Sequence, residues 1–358
     1  MAKYLWYSGA TDITGGKLAE ALELTGTKRK PQRITRNDII IGWGTKTNED
    51  VNLGNAIVFN HPNAIRANRN KFKSLVTMSN NNDVAPAIAK FCTSDEVDEK
   101  LRQNEIKLPL VGRTNFHQGG KGFWLCLTKS HVNGAVRDGA QYFQEYIPIK
   151  NEYRLHIVFG KIIYAVKKVE SPSIDHWKEQ RKEKIQSYAN KNNWDYNEDI
   201  VNRVLDILAK EITLPDRIVK SNRRGWKFSS VRLNILNANL KATAIKALEA
   251  VSLDFAAVDC ALSENNDPYI IEINSGPGLE KTTFDKYVEA FNTKLATVNN
   301  RRNVVQRPVN QPARQNRNNQ RGEQERIDPE ALVHMMNAVR SPAEARRVLD
   351  LMQAAGNE

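Results

Sequence analysis

The sequence predicts an α+β protein that begins with a small α/β domain, and three observations lead to this prediction. Short apolar runs alternate with turns and one helical stretch in residues 1–67, which is typical of a parallel sheet covered by helices. Strand-like runs joined by tight turns occupy residues 141–170 and 253–280. The composition changes sharply at Val298, after which Asn, Gln, Arg and Pro dominate. The chain therefore divides into a folded body and a polar tail.

The first predicted domain is residues 1–67. Residues 38–44 and 56–60 are apolar runs that end in a glycine or asparagine turn, and we expect buried strands there. Residues 17–24 have the apolar spacing of a helix and lie between strands. This order of elements indicates a parallel sheet.

The second predicted domain is residues 68–140. A helix is expected to begin at Lys71, and residues 108–113 have the pattern of a strand. A glycine-rich loop follows at residues 117–122. Such a loop can bind phosphate through its backbone N–H groups, but alone it is equally typical of a hairpin turn.

The third predicted domain is residues 141–298, interrupted by a charged insertion with helical periodicity at residues 171–215. The strands expected here are 142–147, 153–158 and 162–166, and a helix is expected at 240–251. The last two of these strands should pair as a hairpin, because only a short glycine turn separates them.

The tail has two predicted parts. Residues 299–326 are too polar to bury a core, so we expect a disordered linker rich in Arg, Asn and Gln. Residues 327–358 contain two helix-start signals, Asp-Pro and Ser-Pro-Ala-Glu, which predict a helical hairpin. The basic linker favours a nucleic acid or an acidic protein as partner, with a solvated spacer as the alternative.

Composition sets the broad class of protein. The chain has 358 residues, a formal net charge of +12, 40% hydrophobic residues and three cysteines. The apolar runs are too short to cross a membrane. The widely spaced cysteines are typical of reduced thiols, which predicts a cytoplasmic protein, and the short apolar runs predict that it has no membrane partner. The positive charge favours an anionic ligand or partner.

The most informative residues lie on two strands joined by a polar turn. Asp259 is expected at the end of the first strand, and Glu272 and Asn274 lie two residues apart on the second. Because side chains alternate along a strand, Glu272 and Asn274 point the same way. We call Asp259, Glu272 and Asn274 the oxygen triad. Oxygen ligands of this kind suit Mg²⁺, which completes its shell with water and nucleotide phosphates.

The patterns D-x-A-x-V-D (residues 254–259) and E-x-N-x-x-P-G-L-E (residues 272–280) resemble the metal-binding end of the ATP-grasp superfamily, and in particular its RimK-like glutamate ligases. The resemblance covers about residues 68–170 and 216–285. It implies an ATP-grasp fold, in which two α/β subdomains grip ATP. It also implies that the oxygen triad holds two Mg²⁺ ions, with Mn²⁺ as an alternative.

The resemblance further implies a set of nucleotide-binding residues. Two of them depart from the family pattern conservatively, because Arg113 replaces a lysine and Lys220 replaces an arginine. The residues implied to bind ATP are Lys71, Arg113, Gly119, Gly120, Gly122, Glu145, Tyr146, Glu152, Lys220 and Asn222. Glu145 and Tyr146 match the adenine hinge, and Glu152 matches the ribose-binding acid. Arg154, Asn222 and Arg113 are implied to stabilise the transferred phosphate.

These observations together predict an ATP-dependent ligase. The family reaction joins a carboxylate to an amine through an acyl phosphate and releases ADP and phosphate. We expect carboxylate-bearing and amine-bearing substrates, at least one of them anionic. Two alternatives remain open: a nucleic-acid or assembly-binding protein that retains an ATP-grasp fold, and an ATP-grasp kinase.

Overall fold

The structure is a computed structural model of the chain. It describes residues 1–9, 12–81, 86–116, 122–171, 174–192, 196–209, 220 and 226–303. The chain divides into two compact units, Met1–Glu170 with Asp216–Val288, and Ser171–Pro215 with Glu289–Glu358. None of the helices in the described ranges is long and apolar enough to span a membrane.

The first unit opens with a four-stranded sheet in which every pairing is parallel. Its strands are β1 (Lys3–Tyr7), β2 (Thr25–Thr27), β3 (Ile39–Trp43) and β4 (Ile57–Phe59), in the spatial order β2-β1-β3-β4. β3 is buried along its whole length, as expected for a parallel strand covered on both faces. The predicted parallel sheet is confirmed.

Helix α1 (Asp12–Ala21) packs on β1 and differs from the predicted helix at residues 17–24. Gly15 lies inside the helix, although glycine is a poor helix former. A Cβ atom at Gly15 would lie 2.5 Å from Cγ of Tyr7. Close contact between α1 and β1 therefore requires glycine here, and this tertiary requirement outweighs helix propensity.

A second sheet is antiparallel and has the order β5-β8-β6-β7. The elements in this part of the chain are α2 (Pro62–Arg69), α3 (Lys71–Ser79), β5 (Phe91–Thr93), α4 (Val97–Arg102), β6 (Leu110–Arg113), β7 (Phe123–Cys126), α5 (Lys129–Arg137) and β8 (Tyr142–Glu145). Asn70 caps α3 by accepting a hydrogen bond from the backbone N–H of Lys73 at 3.0 Å. This cap fixes where α3 begins, at Lys71 as predicted.

The third sheet is also antiparallel and has the order β11-β10-β9-β12-β13. The remaining elements are β9 (Ile149–Val158), β10 (Lys161–Glu170), α6 (Ile174–Asn192), α7 (Glu198–Ala209), β11 (Trp226–Ser230), α8 (Ala238–Ala250), β12 (Phe255–Ser263), β13 (Pro268–Asn274) and α9 (Lys281–Asn303). β9 and β10 form the predicted hairpin, with Lys161 opposite Val158.

The two faces of this third sheet differ in character. On one face Leu155, Val258 and Ile273 join the buried cluster that includes Leu248 of α8. Side chains alternate between faces, so the residues between these positions point the other way, and several of them are charged. Asp259 was expected to end its strand, but β12 continues to Ser263, and Asp259 lies in mid-strand.

The second unit contains the helices of the predicted insertion. On α7 the apolar residues Val201, Val204, Leu205 and Leu208 are buried, and α6 packs against α7. Helix α9 continues from Asn299 to Asn303, where the linker was predicted to begin. Extending an existing helix needs no new nucleus, which accounts for this difference. The rest of the predicted linker and the predicted helical hairpin lie outside the described residues.

Candidate metal–nucleotide site

Three neighbouring strands bring three charged side chains into one row. Asp259 on β12 is paired with Arg154 on β9 and, on its other side, with Glu272 on β13. Directly paired residues in an antiparallel sheet have Cβ atoms about 4.5 to 5.5 Å apart. The row therefore places a guanidinium group and two carboxylates side by side on one face of the sheet.

Arg154 and Asp259 form a bidentate ion pair. Nε and Nη2 of Arg154 donate to the two oxygens of Asp259 at 2.7 and 2.8 Å. The guanidinium group also stacks on the ring of Phe228, 4.9 Å from its centroid. Burial acts to lower the pKa of Arg154, but the charge and hydrogen bonds of Asp259 and the charge of Glu272 outweigh it, and the pKa lies above its ordinary value. Arg154 therefore stays charged and held in place.

Glu152 lies two residues before Arg154 on β9 and faces the same way. Its side chain is buried, and it forms an ion pair with Lys168 of β10. Burial raises the pKa of the Glu152 carboxyl, while the charge of Lys168 acts in the opposite direction without cancelling it. The predicted ribose-binding residue is thus already paired within the charged face of the sheet.

Glu272 and Asn274 meet at the end of β13. Nδ2 of Asn274 donates to Oε1 of Glu272 at 2.9 Å. Nζ of Lys71 lies 3.9 Å from Oε2 of Glu272 and donates to the backbone carbonyl of Ile273 at 3.1 Å. Lys71, predicted to contact ATP, therefore contacts β13, the strand that carries Glu272 and Asn274, in this structure.

The oxygen atoms of this site are ligands of the kind that bind Mg²⁺ together with a nucleotide. The oxygen triad offers two carboxylates and one amide oxygen, and carboxylate oxygens have additional lone pairs beyond those that Arg154 and Asn274 use. Among the described residues no group of three or more His, Cys, Asp or Glu side chains could hold a metal ion. With only two carboxylates and one amide oxygen, the oxygen triad suits an ion that takes part of its coordination shell from water and phosphates.

Arg113 lies on β6, in the second sheet. Its guanidinium group is 5.2 Å from the ring centroid of Phe123, and its buried Nε has no hydrogen-bond partner among the residues that the structure describes. On the neighbouring strand its paired residue is Tyr142. Burial raises the pKa of Tyr142 to about 12; the charge of Arg113 acts to lower it and that of Glu272 to raise it. Arg113 and Glu272 therefore both act electrostatically on Tyr142.

Lys220 is described, although residues 221–225 are not. Its Nζ lies 5.0 Å from the ring centroid of Trp226 and donates to the carbonyl oxygen of Ile149 at 3.3 Å. The charge of Lys220 also acts on Glu152. The predicted phosphate-binding lysine is thus near the charged row.

The backbone N–H groups of the predicted adenine hinge already donate hydrogen bonds within the protein. The N–H of Glu145 donates to the carbonyl oxygen of Lys90, and the N–H of Tyr146 to that of Pro109, both at 2.9 Å. Hydrogen bonds from these two N–H groups to adenine would require both contacts to break.

The glycine-rich loop is described only at Gly122. Gly122 has a φ of +60°, a left-handed conformation that favours glycine. A Cβ atom there would lie 2.7 Å from Oγ1 of Thr114. Gly119, Gly120 and Asn222 lie outside the described residues.

Sequence reasoning missed three residues of this site: Lys168, Tyr142 and Phe228. Tyr142 pairs with Arg113 across two strands that are not consecutive, and Phe228 contacts Arg154 from beyond the insertion. Alternation along residues 161–170 could have placed Lys168 on the charged face, but its pairing with Glu152 requires the register. No local signal identifies Tyr142 or Phe228.

Comparisons with known proteins concern the fold and one segment of the chain. Residues 221–297 match the family model of the RimK-like ATP-grasp domain, and no curated protein matches the chain. The D-alanine–D-alanine ligase of Bacillus anthracis is similar in structure, with a TM-score of 0.53, 12% identity, and coverage of 85% of this chain and 99% of that chain. The ATP-grasp ligase PsnB complexed with a minimal precursor has a TM-score of 0.51 and 10% identity, with 82% and 99% covered. At such low identity the similarity concerns the fold. Residues 221–297 are therefore similar to the RimK-like ATP-grasp domain, and the fold of the chain is similar to that of these two ligases.

Proposed function

We propose that this protein is an ATP-dependent ligase that joins a carboxylate to an amine through an acyl phosphate. The observation that carries the proposal is the row of Arg154, Asp259 and Glu272 across three strands, with Asn274 beside it. A fold that binds ATP, combined with clustered oxygen donors and a fixed cation, suits phosphoryl transfer.

The oxygen triad would hold the metal ions. Bound there, Mg²⁺ would neutralise charge on the phosphates of ATP. Arg154 is pre-oriented by Asp259 and Phe228, so it can stabilise the transferred phosphoryl group without reorganisation. We assign Asn222 and Arg113 to the same task. We also assign ATP binding to the remaining predicted residues: Lys71, Gly119, Gly120, Gly122, Glu145, Tyr146, Glu152 and Lys220.

The proposed reaction has two steps. A carboxylate oxygen of the substrate attacks the γ-phosphorus of ATP, the bond to the ADP oxygen breaks, and ADP leaves. The amine nitrogen of the second substrate then attacks the acyl carbon and loses a proton, and inorganic phosphate leaves with the electrons of the carbon–oxygen bond. Because an acyl phosphate hydrolyses readily, the site must exclude water during the second step.

The substrate class is proposed from charge and from the neighbours. The net charge of +12 favours a partner that is anionic. One similar structure is named a D-alanine–D-alanine ligase, and another ligase is complexed with a minimal precursor. We propose an amino acid or a peptide as at least one substrate.

Product analysis tests the proposal. The protein is incubated with ATP and Mg²⁺ and with pools of amino acids, peptides and short nucleic acids, and ADP and product masses are recorded for the wild type and Glu272→Ala. The proposal predicts ADP release with one pool, a product lighter than its two substrates by one water, and loss of both in the variant. A phosphorylated substrate without an amide would favour a kinase. Salt-sensitive nucleic-acid binding that survives Asp259→Ala, without ATP turnover, would favour a binding protein.

A further inference from the structure

In the part of the chain that the structure describes, β13 is an edge strand whose one neighbour in the sheet is β12. Unpaired backbone groups along such an edge need other partners. The N–H of Ile270 finds one by donating to the carbonyl oxygen of Ala87 at 2.9 Å. The carbonyl oxygen of Ile273 accepts from two side chains, Nδ2 of Asn68 at 3.0 Å and Nζ of Lys71 at 3.1 Å.

The position of this carbonyl group matters because of its neighbours. Ile273 separates Glu272 from Asn274, two members of the oxygen triad. The peptide unit that begins with the Ile273 carbonyl is planar and ends at the Cα of Asn274. Holding this oxygen restrains the plane, and with it the position of the Cα atom from which the Asn274 side chain leaves the backbone.

Asn68 is well suited to hold the carbonyl. Its side chain is on α2 and is 2% exposed. Its Oδ1 accepts a hydrogen bond from Oγ of Ser74, on α3, at 2.9 Å. Both ends of the amide are thus satisfied, and Ser74 sets the orientation that turns Nδ2 towards β13. A buried amide with both ends bonded is costly to rotate.

Lys71 has a second proposed role, because the proposed function also assigns it to ATP binding. Its ammonium group contacts both the Ile273 carbonyl and Glu272. A lysine that turns towards a phosphate must give up or weaken those contacts. Asn68 carries no charge and is buried, so it has no such competing partner among the described residues.

We propose that Asn68, oriented by Ser74, is a positioning residue for the metal site: it holds the peptide between Glu272 and Asn274, and it does so without Lys71 once that lysine binds the nucleotide. This inference rests on the proposed metal–nucleotide function. It assigns a role to two residues that carry no catalytic chemistry and lie outside the metal motif.

Mn²⁺ titration tests the inference, with free Mn²⁺ followed by electron paramagnetic resonance in the presence of a non-hydrolysable ATP analogue. Loss of one net hydrogen bond predicts a rise of about fivefold in the Mn²⁺ dissociation constant of Asn68→Ala. Ser74→Ala, which leaves the Asn68 contact to Ile273 in place, should give a smaller rise. If Asn68→Ala fails to fold, Ser74→Ala still tests the inference.

Asn63→Ala is the matched control. Asn63 is also on α2, and its amide makes two comparable bonds to the main chain of Val51, at 2.8 and 3.3 Å. It should bind Mn²⁺ as the wild type does. Equal weakening in Asn63→Ala and Asn68→Ala would mean a general effect on α2 and would overturn the inference, as would unchanged binding in Asn68→Ala.

Glu272→Ala separates this inference from the proposed function. If the wild type binds Mn²⁺ no better than Glu272→Ala, the proposed function fails and the inference falls with it. If the wild type binds and Glu272→Ala does not, the Asn68 and Ser74 variants decide the inference alone. Hydrogen exchange at the amide of Asn274 gives a metal-free readout, and it should be faster in Asn68→Ala than in Asn63→Ala.

Discussion

The ion pair between Arg154 and Asp259 allows a quantitative test by Asp259→Asn. The Asp259 side chain is 5% exposed and that of Arg154 is 24% exposed, so the substitution leaves a largely buried cation without its bidentate partner. Removing one partner of a buried pair costs about 3 to 5 kcal/mol. Arg154 is partly exposed, and the charge of Glu272 remains beside it. We therefore expect the free energy of unfolding to fall by an amount near the lower end of this range, about 3 kcal/mol.

Urea denaturation followed by tryptophan fluorescence would measure this loss. The control is Asp50→Asn, which breaks an exposed ion pair with Arg66 and should cost less than about 1 kcal/mol. The slope of the free energy of unfolding against urea should be the same in all three proteins, so that a shift in midpoint reports stability. The reasoning is refuted if Asp259→Asn destabilises the protein no more than Asp50→Asn.

Three further predictions concern residues around the site. Burial, and then the charge of Arg154, lower the pKa of His156 from 6.5 to about 3, so the unfolded chain binds one more proton than the folded protein between these pH values. The free energy of unfolding should therefore fall by about 2 kcal/mol from pH 7.5 to pH 5 in the wild type, because of His156, and this part of the fall should be absent in His156→Gln. Urea denaturation at each pH would measure the difference. Asn60→Ala removes three hydrogen bonds to the main chain at the start of β12, two of them buried and one partly buried. It should lower the free energy of unfolding by about 3 kcal/mol in the same assay, and a loss below that of Asp50→Asn would contradict this. Gly122→Ala should cost about 1 to 2 kcal/mol because its backbone is left-handed, and an unchanged urea midpoint would show that the loop relaxes freely.

The oxygen triad could be predicted from sequence because its signal is local. Glu272 and Asn274 are two residues apart on one strand, and a short turn joins that strand to the one that carries Asp259. Alternation along a strand and the geometry of a hairpin are enough to bring such residues together. The same reasoning predicted the β9–β10 hairpin.

Contacts between distant segments could not be predicted in this way. Asn68 of α2 and Ile273 of β13 are brought together by the tertiary fold, and nothing near either residue in the sequence indicates the other. The engaged N–H groups of Glu145 and Tyr146 likewise depend on strand pairing and loop contacts elsewhere. Gly15 lies inside α1 because of its contact with Tyr7, which helix propensity alone does not include.

Equilibrium binding of a non-hydrolysable ATP analogue, with and without Mg²⁺, tests the metal–nucleotide site most directly. Wild type is compared with Glu272→Gln and with Glu264→Gln, a control at the exposed turn between β12 and β13. The account predicts Mg²⁺-dependent binding in the wild type and in Glu264→Gln, and loss of that dependence in Glu272→Gln. Binding that does not respond to Mg²⁺, or that is identical in all three proteins, would contradict it.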